Sequence, residues 1–194
     1  MKRLIKWVSS ILFFFFFLHS CIYHHMTHMN EEELEWVTNR HEGELWYFQS
    51  ENGIKDTTII FKVEIYNSLN PFNMAYFNTS NTEYIAGGCI YYKFCRTTGC
   101  DGTLNVQKLH NSKPLCFSGG LLGIWSSEIP LKLTTLKINN VTFNDILFFD
   151  ERFLEQITNY DQVNNPIKSY AWSKKYGLVQ YTFQDGTVFS RVLN

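Results

Sequence analysis

The chain predicts an all-β fold with minor α content: a single antiparallel β domain, curved into an open half-barrel or folded as a sandwich. Three observations carry this expectation. Short segments alternate apolar and polar residues with a period of two, turn-forming Asn, Gly and Pro residues separate them, and the chain closes on an Asp185-Gly186 hairpin signal. A composition of 45% hydrophobic and 17% aromatic residues is too apolar for a disordered chain and supplies a sizeable core.

The elements follow in order. Asn30-Glu31-Glu32-Glu33 pairs a capping-type Asn with a Glu three residues on, just before Leu34 and Trp36, so it predicts a helix start, and Gly43 ends that helix within a few turns. From residue 44 the period becomes two. ELWYFQS, the turn Glu51-Asn52-Gly53 and TTIIFKVEIYN read as successive strands, with Phe61, Val63 and Ile65 alternating with Lys62 and Glu64. NSLNPFN, with Pro71, is a loop. Further strands are expected over Glu83 to Cys95, Thr103 to Leu109, Leu115 to Trp125, Leu131 to Ile138 and Val141 to Phe149, the last two joined by a two-residue Asn139-Asn140 hairpin. Asp150 to Pro166 reads as a short helix through Phe153, Leu154 and Ile157, then a polar loop. Folding the chain as a two-residue hairpin at Asp185-Gly186 pairs Phe183 with Val188, Tyr181 with Ser190 and Val179 with Val192, and Gly177 marks a close approach or kink.

The N-terminus has a different logic. The run ILFFFFF lies in an apolar stretch from Val8 to Leu18 that is 11 residues long, whereas a helix needs about 20 to cross a bilayer. Lys2, Arg3 and Lys6 precede it and small or polar residues follow, the order of a secretory signal peptide. Leu18-His19-Ser20-Cys21 resembles the lipobox of bacterial lipoproteins, with His19 standing where that family has a small or apolar residue. The resemblance implies cleavage before Cys21 and diacylation of its thiol, and more than one acyl chain gives stable anchoring. It divides the chain into a signal peptide (1–20), a lipidated tether (21–30) and a β-rich globular domain (31–194). Ile22, in place of the Asp that retains lipoproteins in the inner membrane, implies outer-membrane delivery, on the periplasmic or the surface face. NNVTFNDILFF and YAWSKKYGLVQY, with the final hairpin, resemble a C-terminal module of uncharacterised Gram-negative lipoproteins. That module implies a β-rich envelope domain and brings no catalytic residues.

Removing residues 1–20 takes three basic groups from the 17 basic and 18 acidic, leaving 14 and 18 and a net charge of −4. No clustered Lys and Arg mark a nucleic-acid partner. Cys89, Cys95, Cys100 and Cys116 form an even set in an exported chain, which favours disulfides over thiol or metal chemistry. Among three connectivities, Cys95 with Cys100 across a hairpin and Cys89 with Cys116 are the expected pairs, and Cys89, Tyr91, Lys93 and Cys95 share one strand face. The spacing C-x5-C-x4-C-x15-C matches no usual zinc module. His24, His25, Met26, His28 and Met29 offer donors suited to late transition metals, but a short solvated linker has the same composition. No metal or cofactor is expected.

Catalysis has little to stand on. Cys116 with His110 as base is a conceivable nucleophile pair, yet six residues across Pro114 suit a turn, and Asp145 with Asp150 or Glu151 is a carboxylate pair of the kind chance supplies. The expectation is therefore a non-enzymatic, lipid-anchored domain that binds a ligand or supports an envelope assembly. An apolar ligand in the half-barrel, a glycan on surface aromatics such as Tyr91, Tyr92, Trp125 and Trp172, and a protein partner are the alternatives.

Overall fold

The computed structural model describes residues 23–69, 81–95, 101–130, 132–156 and 165–193. Strand β1 (Tyr23–Met26) and helix α1 (Glu31–Thr38) lead into β2 (Leu45–Ser50), β3 (Lys55–Leu69), β4 (Asn81–Phe94), β5 (Gly102–Lys108), β6 (Cys116–Leu121) and β7 (Ile124–Pro130). The C-terminal half contributes β8 (Thr134–Ile138), β9 (Val141–Asp150), β10 (Leu154–Gln156), β11 (Ile167–Ser173), β12 (Gly177–Phe183) and β13 (Val188–Arg191). All belong to one 13-stranded sheet with the order β10-β7-β6-β5-β4-β3-β2-β13-β12-β11-β9-β8, antiparallel apart from β1, which runs parallel to β4 off that path.

Chain length forces this sheet to curl. Strands β10 and β9 stand ten steps apart in the order, roughly 50 Å if the sheet were flat, yet only residues 151–153 connect them. Three residues reach about 10 Å. The sheet therefore bends into an open half-barrel, as the sequence predicts, and β9 crosses to the opposite edge at its end. Aromatic side chains fill the interior. Trp46, Tyr92 and Trp172 meet as a triad with ring centroids 5.5 to 5.7 Å apart, Phe149 stacks on Tyr170 at 4.4 Å, and Tyr181 stacks on Phe189 at 5.0 Å. All seven belong to one buried cluster. Such offset and edge-to-face pairs add to the burial of apolar area itself.

Helix α1 packs onto the concave side. Val37 presses on Gly88, where a Cβ atom would lie 2.7 Å from Val37 Cγ2, and Trp36 meets Phe117 edge-on at 4.8 Å. The helix starts as its sequence predicts. Glu33 N–H donates to Asn30 Oδ1, and Asn30 N–H donates to Glu33 Oε2, both at 2.8 Å. Glu33 also accepts from the nearly buried Lys108 at 2.7 and 2.8 Å, which ties the helix start to β5. Glu33→Ala removes half of the capping box and leaves Lys108 without its carboxylate, so thermal unfolding is expected to report a loss of about 2 kcal/mol.

Turn chemistry explains where the expected strands differ from the observed ones. Asn139 and Asn140 take the positive φ angles, 47° and 69°, of the expected two-residue hairpin, with Ile138 opposite Val141. The segment from Leu115 to Trp125, expected as one strand, is instead a hairpin: Leu122 and Gly123 adopt φ of 47° and 84°, and Leu121 faces Ile124. At the C-terminus the register is one residue off the expected pairing. Phe183 N–H donates to Thr187 O at 2.9 Å, so the loop holds three residues, Gln184-Asp185-Gly186, and Tyr181 faces Phe189 in place of Ser190. Gly186 at φ 87° supplies the left-handed position of that loop, and the β2–β3 turn repeats the geometry at Gly53, with φ 77°. Thr187 N–H also donates to Asp185 Oδ1, and this bond holds the exposed Asp185 carboxyl below its usual pKa.

Two segments expected outside the sheet belong to it. Tyr23–Met26, read as tether, pairs with Asn81 to Tyr84 of β4, and Thr27 behind it is buried, with its N–H donating to Tyr84 O. Leu154–Gln156, read as helix, is β10, because pairing with β7 satisfies its backbone. Ile157 lies outside the described residues.

Candidate functional site

The outer, convex face of the sheet carries the exposed apolar surface. In β2 the residues Trp46, Phe48 and Ser50 face inward, which leaves Leu45, Tyr47 and Gln49 outside. Register then builds rows across the strands. Val192 N–H donates to Tyr47 O, Tyr47 lies opposite Thr57, and Leu45 opposite Ile59, which lies opposite Lys93. A bulge at Phe61 lets Phe61 and Lys62 both point outward against Tyr91, with the Phe61 and Tyr91 rings 6.1 Å apart. The result is a diagonal strip of Val192, Tyr47, Leu45, Ile59, Phe61 and Tyr91. Tyr47 is 49% exposed and Phe61 40%.

Polar groups flank both ends of this strip. At one end a surface pocket of about 250 Å³ is lined by Tyr47, Phe48, Gln49, Lys55, Asp56, Thr57 and Val192. Gln49 and Lys55 pair across the strands on the convex face, whereas Asp56, opposite Phe48, turns to the inner side, where the buried Tyr181 hydroxyl donates to Oδ2 and Thr57 N–H donates to Oδ1, both at 2.9 Å. At the other end Tyr66 donates to Asn105 Oδ1 at 3.0 Å and accepts from Gln107 Nε2 at 3.1 Å. Glu64, Cys89, Asn105 and Ser118 form the next row on the same face. The Cys89 thiol, hydrogen-bonded to Tyr91, and then burial raise the Tyr91 phenol above its ordinary pKa, while burial chiefly raises that of Tyr66. Lys62, bonded to Glu64, holds the Glu64 carboxyl below its usual value. Rings and hydrogen-bonding groups thus alternate along one open face.

The four aromatics singled out from sequence divide between the two sides of the sheet. Tyr91 and Trp125 stand outside, in one row through Thr103 and Gly120, and Trp125 is 38% exposed. Tyr92 and Trp172 are buried in the aromatic core, so they are corrected from ligand candidates to packing residues: strand alternation turns Tyr92 inward next to Tyr91, and its hydroxyl donates to Gly120 O at 3.0 Å. The Cys89–Cys116 disulfide is likewise corrected. Cys89 lies on β4 and Cys116 on β6, with β5 between them, and Cys116 aligns through Gln107 with Gly87. That offset separates the Cα atoms by roughly 12 Å, beyond the 7 Å a disulfide tolerates. Cys100, expected to pair with Cys95, lies outside the described residues, as do Cys21 and the side chains of His24 and His25; His28 is exposed, and its N–H donates to Asn111 Oδ1.

The conceivable catalytic groups have other duties. His110 Nδ1 accepts from Ser112 N–H within the β5–β6 turn, six residues before Cys116. Asp145 accepts from Ser173 Oγ and Lys175 N–H, whereas Asp150 pairs with Arg152. Both acids lie on β9, five residues and roughly 17 Å apart along an extended strand, too far for the paired carboxylates of a glycosidase. Sequence reading missed Leu45, Tyr47 and Phe61. The signal was there: ELWYFQS is apolar on both faces, and a strand with no second layer outside it among the described residues exposes one of them.

These features define an antiparallel half-barrel with a filled interior and an amphipathic convex face. Comparison with protein families, with curated proteins and with solved structures finds no match for this chain.

Proposed function

We propose that this chain is a lipid-anchored cell-envelope protein, held at the outer membrane through Cys21, whose β domain is non-catalytic and binds a saccharide across its convex face. One observation carries the binding reading: the rings of Tyr47, Phe61 and Tyr91 stand on one open face between the Gln49 and Lys55 pair and the Glu64, Asn105 and Gln107 cluster. Sugars present apolar C–H faces and a rim of hydroxyls, so they suit exposed rings bordered by amides and carboxylates. An acyl carrier would need a deep apolar cavity, and the space such a cavity would use is occupied here by Trp46, Tyr92, Tyr170 and Trp172. The lipobox-like Leu18-His19-Ser20-Cys21 and the short apolar run before it support the anchor.

Two measurements test this. The intact mass of the mature protein is expected to lack residues 1–20 and to include acyl chains on Cys21; a chain retaining those residues or carrying no lipid would refute the anchor. On an array of envelope oligosaccharides, Tyr47→Ala with Phe61→Ala is expected to weaken binding of the best ligand at least tenfold while the melting temperature stays within about 2 °C, since both rings are exposed. Unchanged affinity in that variant, or capture of a protein and no saccharide, would refute the sugar reading.

A further inference from the structure

Resting on the saccharide reading above, we infer that the ligand of the convex face is an acidic saccharide, with one charged group met by Lys55 and another, on a separate sugar residue, by Lys93. Tyr47, Gln49, Lys55, Thr57 and Val192 line the convex side of the surface pocket of about 250 Å³. That is room for about eight water molecules, so one sugar ring fits there and the rest of the chain has to run along the strip. Lys55 is exposed at the pocket. Its sequence neighbour Asp56 does not offset it, because the Asp56 carboxylate is turned to the inner side of the sheet and bonded to the Tyr181 hydroxyl. Lys93 stands farther along, opposite Ile59, and points outward because Tyr92 and Phe94 on either side of it are buried.

Charge is unbalanced over this half of the strip. Among the described residues, no carboxylate lies within ion-pair distance of Lys55 or Lys93, Glu51 in the adjacent turn included. Lys62 differs: it is paired with Glu64 and lies 5.6 Å from the Tyr91 ring. Glu42 reaches the same end, accepting from Val63 N–H at 3.3 Å. Positive charge is therefore in excess at the pocket and beside Ile59, in a chain whose formal net charge is −1. A neutral glycan leaves both ammonium groups hydrated and gains nothing from them. An acidic one gains at each, and such complementarity sets specificity more than raw affinity. Lys55 and Lys93 are four residues and one strand apart, roughly 14 Å between Cα atoms, which exceeds the screening length of about 8 Å at physiological salt. A single small anion thus feels one lysine or the other, whereas a chain with acids on separate rings engages both while lying against Tyr47 and Ile59.

The test uses the full-length protein in detergent and an array of uronate oligosaccharides, each beside its own methyl ester, so that members of a pair differ in charge alone. At low ionic strength the best-bound uronate is expected to bind about tenfold more tightly than its ester, and about 1 M salt should bring the ratio close to one. This ratio is read on the unaltered protein, so it stands even where a substitution unfolds the domain. Lys55→Gln and Lys93→Gln should each lower it about threefold, the two together should abolish it, and Lys55→Arg should preserve it. Free glucuronate should bind at least about tenfold more weakly than the oligomer. A sulfated oligosaccharide that gains as much over its neutral parent identifies charge as the feature read, and a gain from uronates alone identifies a pocket fitted to the carboxylate; either outcome supports an acidic ligand. Equal binding of uronate and ester, still lost in the Tyr47→Ala, Phe61→Ala variant, would overturn the acidic ligand and leave the saccharide reading standing. Binding of no member of any pair would overturn both.

Discussion

Gly177→Ala is expected to lower the melting temperature by roughly 8 °C in a thermal unfolding experiment. Two costs meet at this residue. Gly177 opens β12 with φ 77°, where an L side chain is strained by about 1 kcal/mol. Its Cβ would also lie 2.6 Å from Trp46 Cζ2, inside a core whose rings have no room to retreat, and such overpacking costs about 1–3 kcal/mol more. At roughly 3 kcal/mol in total, and about 2–4 °C per kcal/mol at this chain length, the shift follows. Gly53→Ala is the matched control, because Gly53 has the same φ of 77° but no atom within 4 Å of an added Cβ. It should show the backbone strain alone, a drop of about 3 °C. Equal losses in the two variants would mean that Trp46 does not pack against Gly177.

Trp172→Ala should cost still more, about 3–5 kcal/mol. The indole sits between Trp46 and Tyr92 at 5.5 and 5.7 Å and is 1% exposed, so its removal leaves a cavity walled by aromatic rings fixed from other strands. The melting temperature should fall by 10 °C or more. Saccharide affinity measured below that temperature should not change, because the ring lies on the side of the sheet opposite Tyr47 and Tyr91. A variant that folds as well as the original but loses its ligand would restore Trp172 as a binding residue.

How far the sequence could be read depended on the range of the interaction in question. The α1 start, the Asn139-Asn140 turn and the strand periodicity were legible because each is decided within about four residues. The half-barrel was also legible, since short antiparallel strands without crossover helices leave few other ways to cover an apolar face. Loop length was not. Asp185-Gly186 suits both two- and three-residue hairpins, and the choice between them was made by the stacking of Tyr181 on Phe189, which shifts every pair beyond it by one residue.

The convex site was hidden for a related reason. Leu45, Tyr47 and Phe61 look like core residues by composition, and only the position of β2 and β3 in a single-layer sheet turns one of their faces to water. The Cys89–Cys116 pairing failed similarly, since strand order puts β5 between the two residues, and strand order is a property of the whole fold.

The proposed ligand lies outside a filled barrel and not within it. Backbone chemical-shift mapping of the protein in detergent, titrated with the best-binding oligosaccharide from the array, decides this directly. The predicted result is a set of perturbed amides centred on Tyr47, Ile59, Phe61 and Tyr91 across β2, β3 and β4. Perturbations centred on Trp46, Tyr92, Tyr170 and Trp172 would place the ligand inside the barrel and contradict it.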